Sequence, residues 1–194
     1  MAVDTTGPTE TLLEVADGAD LIEVLALRGW GDGLPLVAPT PTRVEAMLAG
    51  CTGTDPDEVI AVLPPRSGEA TRLSIAVNAV MAGCLPAHLP VLVSAVRALA
   101  LPDLNLRGVN ATTHCVAPLL VVHGDVARSA GYHGGLGAFG PGSRANATTG
   151  RALRLILLHI AGATPGDGDA STQGGPAKYG FCVAENLEAS PWTG

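Results

Sequence analysis

Val116-Ala117-Pro118-Leu119-Leu120-Val121-Val122 is followed by the glycine-rich residues 124–142 and then by Ser143-Arg144 and an apolar run to Ile160. The first is short, apolar and β-branched, which predicts a buried strand. The last opens at a capping serine and predicts a helix over residues 144–160. Strands separated by helices need crossovers, so a largely parallel or mixed sheet is expected.

Towards the N-terminus, the spacing predicts an amphipathic helix within residues 11–28 and a turn-rich connector over 29–41. Thr40-Pro41 caps a short helix ending at Gly50. A strand over 59–63 stops at Pro64-Pro65, and helices are expected over 69–83 and 88–99. Residues 162–180 form a second Gly-rich loop. The expected fold is α/β: a single compact domain over residues 11–194 with a mixed or mostly parallel sheet flanked by helices and two long Gly-rich loops, after a frayed segment 1–10.

The 194-residue chain is 47% hydrophobic and 15% charged, ample material for a core. Its charge of -7 is spread thinly and aromatics make up 3%, which argues against nucleic acid and anionic membranes as partners. Met1 to Gly7 lacks the basic and apolar regions of a secretory signal, so a soluble, cytoplasmic protein is expected. The tract over 152–163 is too short to span a bilayer and reads as a core helix. The four cysteines form no C-x-x-C pair and should be reduced in the cytoplasm. The number of apolar helices suggests a homo-oligomer, with a symmetric dimer as the default.

Reactive side chains gather in two stretches. Asn110-Ala111-Thr112-Thr113-His114-Cys115 places amide, hydroxyl, imidazole and thiol groups just before an apolar strand, where α/β domains bind ligands. A nucleophilic Cys115 needs a neighbouring cation or helix N-terminus. His114, if the chain is extended there, points to the opposite face, leaving His133 to approach from the glycine loop. Lys178-Tyr179-Gly180-Phe181-Cys182-Val183-Ala184-Glu185-Asn186 puts Lys178 and Cys182 on one face if extended, with the ammonium lowering the thiol pKa. Arg66, beside Glu69 at the expected mouth of a helix, suits a carboxylate clamp.

Gly135-Leu136-Gly137-Ala138-Phe139-Gly140 matches G-x-G-x-x-G but lies too far past the strand for a dinucleotide fold, and no cofactor is assigned. His114, Cys115, His133 and Cys182 are conceivable metal ligands, though none of their spacings is that of a zinc site.

Gly31-Asp32-Gly33-Leu34-Pro35, Pro39-Thr40-Pro41-Thr42-Arg43-Val44-Glu45, Pro64-Pro65-Arg66, Ala76-Val77-Asn78-Ala79-Val80-Met81-Ala82-Gly83-Cys84, Ala111-Thr112-Thr113-His114, Arg144-Ala145-Asn146-Ala147-Thr148 and the stretch from Lys178 to Asn186 together resemble a bacterial family. Its members accompany UGSC-motif proteins, which carry selenocysteine or cysteine followed by Gly-Ser-Cys. The resemblance runs from about Trp30 to Trp192 and implies association with a thiol or selenol redox partner. His114, Cys182, Glu185 and Asn186 match the family pattern. The position of Cys115 resembles one often filled by Pro, which makes that thiol a specialisation of this chain.

The expected function is that of a small-molecule enzyme or enzyme subunit using His/Cys chemistry and linked to such a redox partner. His114, Cys115, Cys182 and Glu185 are the catalytic candidates. Arg66, Asn110, Thr113, His133, Asn146, Lys178 and Asn186 are the candidates for binding substrate. The alternatives are a noncatalytic docking or assembly subunit and a metal-dependent enzyme with His/Cys ligands.

Overall fold

The computed structural model describes residues 20–52, 55–186 and 188–191. The expected fray over 1–10, the first half of the 11–28 segment and Trp192 lie outside them. What is described of the first helix is α1, Leu21–Leu27, capped by Asp20. In α2, Pro41–Leu48, the proline takes the first turn as expected, although the Thr40 side chain makes no capping bond.

The centre of the fold is α3, Arg72–Ala82, in which every residue but Leu73 is buried. Its sequence is apolar apart from Arg72, Ser74 and Asn78, and so apolar a helix is stable only when surrounded. It packs against α2, α4 (Leu89–Leu99) and α7 (Arg144–His159). The apolar helices that suggested an oligomer therefore bury most of that surface within the chain. Among the described residues no single helix is long and apolar enough to cross a membrane.

The 69–83 helix expected from sequence begins later. Gly68–Thr71 is a strand, β2, paired antiparallel with β1 (Val59–Leu63), and the Thr71 side chain caps α3 by accepting from the Ser74 N–H. Ser67, at φ 56°, turns the chain back between the strands. Gly68 lies so close to the Ile160 carbonyl that a Cβ there would sit 1.8 Å from its oxygen. That approach draws the hairpin onto the end of α7.

The α/β class is realised with small ladders. β3 (Leu120–Val122) runs parallel to β6 (Cys182–Ala184), and β4 (Thr164–Pro165) parallel to β5 (Gly168–Asp169). The strand expected over 116–122 is shortened to its last three residues. Pro118 lacks an N–H and so cannot donate to a ladder. Between these elements lie the short helices α5 (Leu106–Ala111) and α6 (Asp125–Ser129).

Candidate functional site

Helix α7 supplies one wall of the site. Ser143 caps it, accepting from the Asn146 N–H at 3.2 Å, and its apolar stripe faces α3. Residues 151, 154 and 158 follow at helical spacing along another face, so the two arginines and Leu158 align. The facing wall is brought in by glycines. A Cβ on Gly150 would lie 2.7 Å from the Phe181 N, and one on Gly180 would lie 3.1 Å from the Arg151 N. Only hydrogen on these carbons lets residues 178–181 cross the helix so closely.

The crossing carries Lys178 to Asp169, whose side chain is 3% exposed. Lys178 Nζ donates to Asp169 Oδ1 at 2.9 Å and Oδ2 at 2.7 Å, the Ser171 N–H donates to Oδ1 at 3.1 Å, and Arg154 Nη2 stands 3.3 Å from Oδ2. Burial alone would raise the Asp169 carboxyl, but these hydrogen bonds and the two cations hold it below the ordinary carboxylate value. Asp32 is the second carboxylate. Arg151 grips it with two bonds of 2.8 Å, and the Leu34 N–H donates to it at 3.1 Å. Its pKa is also lowered, with burial opposing Arg151 and the backbone bond.

Asp32, Arg154, Asp169, Lys178 and Tyr179 line a cleft of about 710 Å³ together with the glycine-rich turn that includes Gly174 and Gly175. Arg154 and Lys178 also wall a chamber of about 20 Å³, room for one water-sized group, onto which Asn110 opens. Asn110 is 3% exposed and its Nδ2 has no partner among the described residues. The free hydrogen-bonding capacity is one-sided. Among the described residues both carboxylates are engaged at each oxygen, whereas Lys178 keeps one of three N–H groups, Arg154 keeps most of its five, and the Asn110 Nδ2 has no partner. The wall is therefore rich in donors.

Of the residues singled out from sequence, Asn110 and Lys178 meet here. The Thr113 carbonyl holds the cleft loop from outside, accepting from the Thr172 N–H at 3.1 Å and hydroxyl at 3.2 Å. His114 and Cys115 are exposed. His114 Nδ1 is 3.2 Å from the Thr112 hydroxyl, and a Cβ on Gly175 would lie 3.7 Å from that of Cys115.

The other candidates stand elsewhere. Lys178 belongs to a 3-10 turn, Pro176–Lys178, not to an extended run, so strand alternation does not align it with Cys182. Cys182 is buried, and burial, with Cys84 adding to it, pushes its thiol up to about 12, the reverse of activation. Arg66 sits in the hairpin turn, not at a helix mouth, and is exposed and paired with Asp167. Asn146 is an internal tie: its Oδ1 accepts from the His133 N–H at 2.9 Å and its Nδ2 donates to the carbonyls of His133 at 2.8 Å and Ala138 at 3.1 Å. His133 Nε2 is 3.0 Å from the Leu136 carbonyl oxygen, and the ring lines neither the cleft nor the chamber. Glu185 takes a 3.5 Å bond from Ser190, and Asn186 is exposed beyond β6. Among the described residues no three His, Cys, Asp or Glu side chains are gathered as a metal ion requires, so the His/Cys ligand set considered from sequence does not assemble there.

Sequence reading missed Asp169 and Arg151, and took Arg154 as an interruption of an apolar tract. A buried helix that places two arginines three residues apart was the available signal, since buried charges demand partners. Comparison with protein-family models, curated proteins and solved structures gave no match.

Proposed function

We propose that the protein is a small-molecule enzyme, or a subunit of one, that holds an anionic substrate in the cleft beside Lys178, Arg154 and Asn110. The unpartnered donor of buried Asn110, beside the half-buried cations Lys178 and Arg154, supports this reading above all. Cys115, exposed beside Gly175, is the thiol placed to meet a bound molecule or a thiol or selenol redox partner, and His114 is the neighbouring acid/base group. Cys182, buried and disfavoured as a thiolate, has no nucleophilic role in this scheme.

Calorimetric titration with acetate and inorganic phosphate tests the binding half. Saturable binding by the native chain, weakened roughly tenfold in Lys178→Met as expected for loss of a charged hydrogen bond, is the expected result. No binding, or equal binding by Lys178→Met, overturns it. The thiol half is tested by the alkylation rate of Cys115, which a bound anion should change.

A docking subunit is the second reading, favoured by Leu136, fully exposed, and Phe139, 67% exposed, on the glycine loop. A complex with a redox protein that survives Cys115→Ser and His114→Ala but dissociates in Leu136→Asp would favour it.

A further inference from the structure

Tyr179 and Pro176 border the donor-lined cleft on one side and a second cleft, of about 430 Å³, on the other. Leu34, Phe139, Phe181 and the floor residue Cys182 line the second cleft. Aromatic residues are scarce in this chain, with two each of Trp, Tyr and Phe. Both phenylalanines and one of the two tyrosines are gathered here.

Phe139 and Phe181 meet with ring centroids 5.4 Å apart at 50°, a favourable tilted pair. Even so, Phe139 remains 67% and Tyr179 53% exposed. Rings that served only the core would be covered, as Trp30 and Tyr132 are. The boundary with the first cleft is the Asp32–Arg151 pair, in which both carboxylate oxygens are already engaged. It presents no unpaired anion to repel an apolar group passing over Tyr179.

We propose that this second cleft is the apolar half of one ligand site, and that the ligand is a small carboxylic acid whose anionic head meets Lys178, Arg154 and Asn110 while an aryl or alkyl arm lies against Phe139, Tyr179 and Phe181. The inference rests on the anion-binding reading above and adds the substrate class to it. Two observations select a carboxylate with an arm. The chamber at Asn110 admits one oxygen-sized group, which a planar carboxylate supplies with its second oxygen left for the cations, as the planar guanidinium favours. The second cleft lies within the volume range of ligand pockets, and a bare anion such as acetate would leave it empty.

The test compares acetate with 3-phenylpropionate by calorimetry on the native chain, on Phe139→Ala and on Lys178→Met. Phe139 is largely exposed, so its truncation spares the core. In the native chain 3-phenylpropionate should bind roughly tenfold tighter than acetate, from burial of the ring. That ratio should fall toward one in Phe139→Ala, and Lys178→Met should weaken both acids. Equal affinities in the native chain, or a ratio unchanged by Phe139→Ala, overturn the apolar half and leave the anion reading standing. Failure of both acids to bind rejects the anion reading and this inference with it. A Phe139→Ala variant that keeps the ratio but loses self-association in sedimentation assigns the aromatic cleft to an interface and likewise overturns the proposal.

Discussion

Lys178 Nζ donates to both carboxylate oxygens of Asp169, a contact made within one glycine-rich segment that closes against Arg154 of α7. The pair fixes the cleft loop to the helix and uses up the carboxylate. The remaining N–H capacity of the cations is thereby left to face the cleft.

Asp169→Ala should destabilise the protein by about 3 kcal/mol, because it strands two buried cations. Lys178→Met should cost less, since Arg154 and the Ser171 N–H still serve the carboxylate. Urea denaturation at neutral pH measures both, and a loss below about 1 kcal/mol for Asp169→Ala would contradict the assigned role.

Gly150→Ala should destabilise the fold, although helix propensity alone predicts a gain of about 1 kcal/mol. The new methyl would lie 2.7 Å from the Phe181 N, so residues 178–181 must move off α7. We expect a loss of about 1–3 kcal/mol together with weaker acetate binding. A more stable variant with unchanged binding would refute the close crossing.

His159 is neutral in the folded chain. Burial lowers its pKa from 6.5 to about 4, with nearby Asp32 only partly opposing this, and its Nδ1 is 2.6 Å from the Asn78 Oδ1. The unfolded chain takes up the proton first, so stability should fall as pH drops from 6.5 toward 4 and the His159 contribution should level off below that. The gap between those values corresponds to roughly 3 kcal/mol. His159→Gln should flatten that window. The lowered Asp32 and Asp169 act at more acid pH: their contribution is present above the ordinary carboxyl value of 3.8 and is lost as pH falls through their folded values. Denaturation midpoints across pH, in native and variant chains, separate the two windows.

Cys115 should react with a maleimide in the native state, while Cys84 and Cys182 should react only on unfolding. Burial raises their thiols to about 11 and about 12. Mass-spectrometric site counting checks this, and native labelling of Cys182 as fast as that of Cys115 would contradict it.

Several elements were legible because their signals are local. Ser143 caps α7 and Pro41 opens α2 where the sequence places them. β2 was not, because Gly68 to Thr71 is a strand only through pairing with β1 and contact with Ile160. Asn110 and Lys178 were found by their chemistry, but their meeting depends on Gly150 and Gly180, whose close approach has no signature until both chains are in place. Asp169 lay in a loop with no period, and its importance comes from burial, which a single sequence does not display.

Whether Asn110, Lys178 and Arg154 receive an anion can be read from the side-chain amide resonance of Asn110 during an acetate titration of 15N-labelled protein. A saturable downfield shift of the Asn110 amide protons, lost in Lys178→Met, is expected. An Asn110 resonance that stays fixed while acetate saturates the protein would place the anion elsewhere and contradict this assignment.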